Sequence, residues 1–120
     1  MRRLIATVSV AAALAGTSVA DAGSTAAVTV HGPKWIPPLI RRLAVCESRG
    51  NPRHEVHRRS DNWHGGGIVS WHVGTWQMDR YPGMPPFPWQ ATLRQQVRVA
   101  VRSVQRGRDF GCLDHRWVRG

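Results

Sequence analysis

The sequence predicts one small domain, mainly α-helical and α+β at most, closed by a single disulfide and carrying long loops. Three observations predict this. Apolar residues recur at helical spacing at both ends of the segment 35–112. The stretch between them is rich in glycine, proline and polar residues and shows no strong strand signal. The only two cysteines, Cys46 and Cys112, lie 66 residues apart. A chain of 120 residues has room for one core, and a core of that size is only modestly stable without a covalent or other staple.

At the amino end, MRR, LIATVSVAAALAG and TSVADAG follow one another. A basic, then apolar, then small-residue order is that of a secretory signal peptide, with cleavage expected after Ala20. A membrane-spanning helix needs roughly 20 apolar residues. The run here is shorter and no later segment is more apolar, so no stable membrane insertion is expected. The chain is therefore read as secreted and extracellular, and its two cysteines as one disulfide. Closing a loop of this length stabilises by roughly 4 kcal/mol in the chain-entropy model. Lys and Arg number 17 against 7 Asp and Glu, a formal charge of +10. Such an excess points to an anionic partner, and for an exported protein to cell-wall polymers or membrane surfaces rather than nucleic acid. The plainer alternative is that the arginines keep a small protein soluble.

Residues 21–34, DAGSTAAVTVHGPK, read as a flexible leader, with the domain over 35–112 and a short tail over 113–120. In WIPPLIRRLAVCESRG, Pro37 and Pro38 suit a helix start. Ile36, Ile40, Leu43 and Glu47 then recur at helical spacing, and Gly50 and Pro52 end the helix. Residues 51–67, NPRHEVHRRSDNWHGGG, read as a long loop or flap. SWHVGTWQM, 70–78, suits a short helix, and YPGMPPFPW, 81–89, a rigid connection full of turns. Thr92 and Gln95 form a capping box for the last helix. Leu93, Val97, Ala100, Val101 and Val104 share one face of it. Arg94, Arg98, Arg102 and Arg106 step by four around the other and read as a solvated face.

Glu47 carries the sharpest chemical signal. It falls in the last turn of its helix on the side that faces the core, where the negative end of the helix dipole and poor solvation favour the protonated form. A carboxylic acid so placed can protonate a departing sugar oxygen. A glutamate bonded to backbone or arginine at a helix end is the structural alternative. The four histidines His54, His57, His64 and His72 do not make a zinc motif, because HEVH sets its pair three apart rather than four. Neither metal nor cofactor is expected.

From Trp35 to Cys112 the chain resembles the resuscitation-promoting-factor-like domains, also called transglycosylase-like, which are small secreted actinobacterial muralytic enzymes with a reduced lysozyme-like fold. LAVCESRGN, 43–51, is similar to the helix end that supplies that family's disulfide cysteine and catalytic glutamate. GIVSWHVGTW, 67–76, matches in length its glycine-rich segment ending in Ser-Thr-Trp, and LRQQVRVAVRSVQ, 93–105, is similar to its final helix. The resemblance implies Glu47 as catalytic acid, Thr75 as a cleft residue near it, and Trp71 and Trp76 as cleft or core aromatics. It also implies a bridge from Cys46 to Cys112. Arg49 replaces a glycine of the family pattern, the loop after Asn51 is longer, and Ser70 stands where a substrate-contacting glutamine is usual. Ser70 is thereby the candidate substrate contact at that position.

The implied partner is the peptidoglycan glycan strand, with anionic wall polymers as a further candidate, bound by a monomer. One glutamate suffices where the 6-hydroxyl of muramic acid attacks the anomeric carbon. Hydrolysis more usually enlists a second carboxylate, for which Glu55, Asp61 and Asp79 are the candidates. Trp63, Trp71, Trp76 and Trp89 offer rings that can stack on sugars or fill the core. Two other readings stay open: a wall-binding module without turnover, and a cationic membrane-active protein.

Overall fold

The computed structural model describes residues 26–113. The expected signal peptide, residues 21–25 of the leader and residues 114–120 of the tail lie outside the described residues. The chain forms helix α1 (Pro38–Ser48), strands β1 (Glu55–Arg58), β2 (Trp63–Gly66) and β3 (Trp71–His72), helix α2 (Val73–Asp79), a 3₁₀ turn (Pro88–Gln90) and helix α3 (Leu93–Gln105). It is a mixed α+β fold, with one antiparallel sheet in the order β1-β2-β3.

α1 starts at a proline, which has no N–H to lose in the first turn. It buries Ile40, Leu43 and Ala44. Arg49 ends it in the left-handed conformation, φ 56°. Gly50 follows with φ 76°, and a Cβ there would collide with the carbonyl of Val28. That close approach draws the preceding segment into the domain: Val28 is buried and its N–H donates to Gly50 O at 2.8 Å. Arg41 completes the tie, its guanidinium donating to the carbonyls of Val30, Pro33 and Ile36. Reading 21–34 as a leader anticipates none of this packing.

The stretch expected as a loop, 51–67, is instead a β-hairpin. Its strands lack the apolar alternation that marks a half-buried sheet, and only Val56 in β1 is aliphatic. Cross-strand side-chain pairs hold it instead. His57 stacks on its partner His64 at 4.7 Å, His64 Nε2 lies 2.9 Å from Glu55 Oε2, and the Arg58 guanidinium sits 5.1 Å over the ring of its partner Trp63. Gly65 and Gly66 let large rings lie against the backbone, since side chains there would run into Trp63 and Trp89 respectively.

α3 has the expected capping box, with Thr92 and Gln95 bonded reciprocally. The arginine row on its outer side does more than meet solvent. Arg94 lies over Trp35 at 4.5 Å, and Arg98 and Arg102 lie over Tyr81 at 3.9 and 4.4 Å. Cation–π contacts of this kind contribute about 0.5–1 kcal/mol each at exposed sites. On the inner side, buried Gln96 links three segments: it accepts from Ile68 N–H and donates to Pro52 O and Ala91 O. Ile36, Leu43, Ile68, Trp71, Trp76, Val97 and Val99 form the centre of the core. Cys46 and Cys112 are bonded, with Cα atoms 6.0 Å apart, so the segment after α3 is pinned to the end of α1.

Candidate active site

The last turn of α1, the cleft-facing side of the hairpin, the turn before β3, the start of α2 and the segment after α3 converge on one cleft of ≈ 490 Å³. Glu47, Trp63, Ser70, Thr75, Arg108 and Asp109 are among its lining. Glu47 Oε2 accepts the backbone N–H of Cys112 at 2.9 Å, so the disulfide-tied segment also orients the carboxylate. The neighbouring Ser48 hydroxyl donates to Ala44 O and to Ile68 O at 2.7 Å, fixing the helix end to the sheet side of the core. Glu47 also borders a second hollow of ≈ 480 Å³, lined with it by Cys46, Ser48, Arg49, Asn51 and His54. Burial there pushes the His54 imidazole below its ordinary value.

Strand alternation decides which aromatics reach the cleft. Gly65 pairs with His72 and Gly66 with Trp71, so Trp63 and His72 point to one side and Trp71 to the other. Trp71 and Trp76 are fully buried and meet edge-on at 4.9 Å, which places both in the core rather than against a substrate. Trp89 packs behind Gly66 and against His64, away from the cleft. Trp63 is thus the tryptophan on the cleft wall, among the described residues. Ser70, in the left-handed conformation at φ 54°, and Thr75 both line the cleft with Glu47.

Asp79 is no second catalytic carboxylate. Its side chain is 0% exposed, and it is bonded to Arg106 at 2.8 Å, to Arg108 at both oxygens and to the Ser103 hydroxyl at 2.6 Å. Ser103 in turn accepts the indole N–H of Trp71 at 3.0 Å. Burial alone would raise the Asp79 carboxyl, but the bonds from Arg108, Ser103 and Arg106 outweigh it and hold it at about 2. Relative to an ordinary carboxyl at 3.8, the shift contributes about 2 kcal/mol of stability. With the folded value depressed, this is present above about pH 4 and lost as pH falls through about 2. Asp79→Ala is expected to lower stability by about 2–3 kcal/mol near neutrality. Thermal unfolding followed on acidification checks the sign: the gap between wild type and variant should narrow below about pH 4.

Glu55 is paired with His64 on the side of the hairpin away from the cleft, and Asp61 with Arg58 at 2.8 Å near the hairpin tip. Neither lines the cleft. Asp109 does, although nothing in its local sequence marks it. The available signal is its position three residues before Cys112, because a bridge to Cys46 must bring that segment beside Glu47. Among the described residues, no three His, Cys, Asp or Glu side chains are grouped to hold a metal ion.

No protein-family model, curated protein or solved structure matches this chain.

Chemically, the arrangement offers one carboxyl group oriented by a backbone donor, on a residue that borders two hollows. An aromatic wall and two guanidinium groups, of Arg58 and Arg108, complete the cleft that Trp63 lines. These are the means to bind a polar polymer and transfer a proton to it.

Proposed function

We propose that the protein is an exported muralytic enzyme on a lysozyme-like domain of the resuscitation-promoting-factor-like type. It cleaves the β-1,4 bond between MurNAc and GlcNAc of peptidoglycan as a lytic transglycosylase. The observation that carries the reading is Glu47, oriented by the Cys112 N–H and lining one cleft with Trp63, Ser70 and Thr75, so that its carboxyl group faces the space a bound sugar would fill. The Cys-Glu-Ser stretch at a helix end, the bridge from Cys46 to Cys112 and the basic charge support it.

Glu47 donates a proton to the glycosidic oxygen as the bond to the anomeric carbon breaks. It then takes a proton from the muramic acid 6-hydroxyl as that oxygen bonds the same carbon, leaving a 1,6-anhydro end and a regenerated carboxyl group. Trp63 supplies a ring face for one sugar, while Ser70 and Thr75 offer hydroxyls. Trp63→Ala is expected to raise KM about tenfold with a smaller effect on kcat, measured on soluble glycan fragments.

A second reading, a wall-binding module on the same fold, is favoured by Ser70, whose short side chain lines the cleft where the resemblance puts a glutamine. Incubation of insoluble peptidoglycan with the oxidised protein separates the two. The enzyme clears the suspension and loses this with Glu47→Gln, although the variant still co-sediments with the wall. A binding module co-sediments in both forms and clears nothing. Among the described residues no helix is long and apolar enough to cross a membrane.

A further inference from the structure

We infer that Asp109 is a second catalytic carboxylate of the Glu47 cleft, delivering water to the cleaved sugar and so diverting part of the product from the anhydro to the reducing-end form. This rests on the glycan-cleaving reading above.

The acidic residues of the described chain are almost all committed elsewhere. Glu47 accepts from Cys112, Glu55 pairs with His64, Asp61 with Arg58, and Asp79 with Arg106 and Arg108. Asp109 makes no hydrogen bond or ion pair with any described residue, in a chain of formal charge +10 that offers cations on many sides. It nevertheless lines the same cleft as Glu47 and is exposed there.

Its backbone is held from both ends. Arg108 is bound at both oxygens of buried Asp79, and Phe110 is buried in the core. Beyond it, a Cβ on Gly111 would stand 3.9 Å from Glu47 Oε2, and Cys112 carries the disulfide and the N–H that orients Glu47. An anchored segment with a solvent-facing carboxylate confines the freedom of Asp109 to its own short side chain. A carboxylate so confined, in one cleft with a proton-donating glutamic acid, has the two functional parts that glycoside hydrolysis through water requires.

The step balances without a further reagent. Glu47 protonates the leaving glycosidic oxygen as the bond to the anomeric carbon breaks. Water oxygen bonds that carbon, and Asp109 takes the proton that water loses. One water is consumed, a reducing-end muramic acid and a free 4-hydroxyl are formed, and the proton on Asp109 returns to Glu47 through solvent. Without Asp109, attack by the 6-hydroxyl is left, with Glu47 as its own base.

The test is mass spectrometry of fragments released from purified peptidoglycan in H₂¹⁸O by the oxidised wild type, Asp109→Asn and Asp109→Glu. The wild type should yield both ends, with ¹⁸O in the reducing ones. Asp109→Asn should lose reducing-end product by about a hundredfold or more while anhydro release continues, and Asp109→Glu should restore part of it. Because Asp109 has no partner to lose, the variants should melt with the wild type. An unchanged product ratio in Asp109→Asn, or anhydro ends alone from the wild type, overturns this inference and leaves the muralytic reading standing. Release of no fragment by the folded wild type overturns both.

Discussion

Glu47→Gln is expected to slow release of soluble material from peptidoglycan by a thousandfold or more, near the upper part of the range for a general acid, while leaving the melting temperature within a few degrees. The reason lies in what the substitution keeps. The glutamine carbonyl still accepts the Cys112 N–H, so the helix end and the disulfide-tied segment hold their places. What goes is the proton that the leaving sugar oxygen needs. Glu47→Asp is expected to be nearly as inactive, because one methylene withdrawn from the cleft breaks the reach of the acid. Dye release from labelled peptidoglycan gives the rate, and circular dichroism melting checks that the fold is intact.

The replacement of Cys46 and Cys112 by serine should cost about 4 kcal/mol through the restored freedom of a 66-residue loop. For a domain of this size that is a large part of all the stability there is. The loss is also functional. Cys112 supplies the N–H that orients Glu47, and Arg108 to Gly111 form one wall of the cleft. Detachment of that segment from the end of α1 should therefore lower kcat even below the melting temperature. Asp79, which holds the same segment through Arg108, limits how far it moves. Denaturant unfolding of the double serine variant and of the reduced wild type measures the stability term, and activity at low temperature measures the other.

The helices α1 and α3 were legible because their cores depend on local periodicity and their ends on local caps: Pro38, Thr92 and Gln95 act within one turn of where they stand. The cysteine pair was legible from its number alone. The hairpin was not, because its strands carry histidines, arginines and glycines whose pairing depends on partners across the sheet. A pattern of period two in apolar residues does not exist in EVHR or WHGG.

The same limit explains the site. Glu47, Ser70 and Thr75 line one cleft. Trp71 and Trp76 do not join them, since the side to which a strand residue points is set by register, which pairs Trp71 with Gly66 toward the core. Asp79 looked like a free carboxylate because its cations, Arg106 and Arg108, lie in another element, after α3. Asp109 lacked a motif and was placed by the disulfide.

Identification of the bonds cut in the soluble fragments tests the account most directly. Oxidised wild-type protein, incubated with purified peptidoglycan and followed by tandem mass spectrometry, should release disaccharide-peptide fragments severed between muramic acid and glucosamine, with peptide stems intact. Fragments severed in the peptide or at its amide link, or none from folded and disulfide-bonded protein, would contradict it.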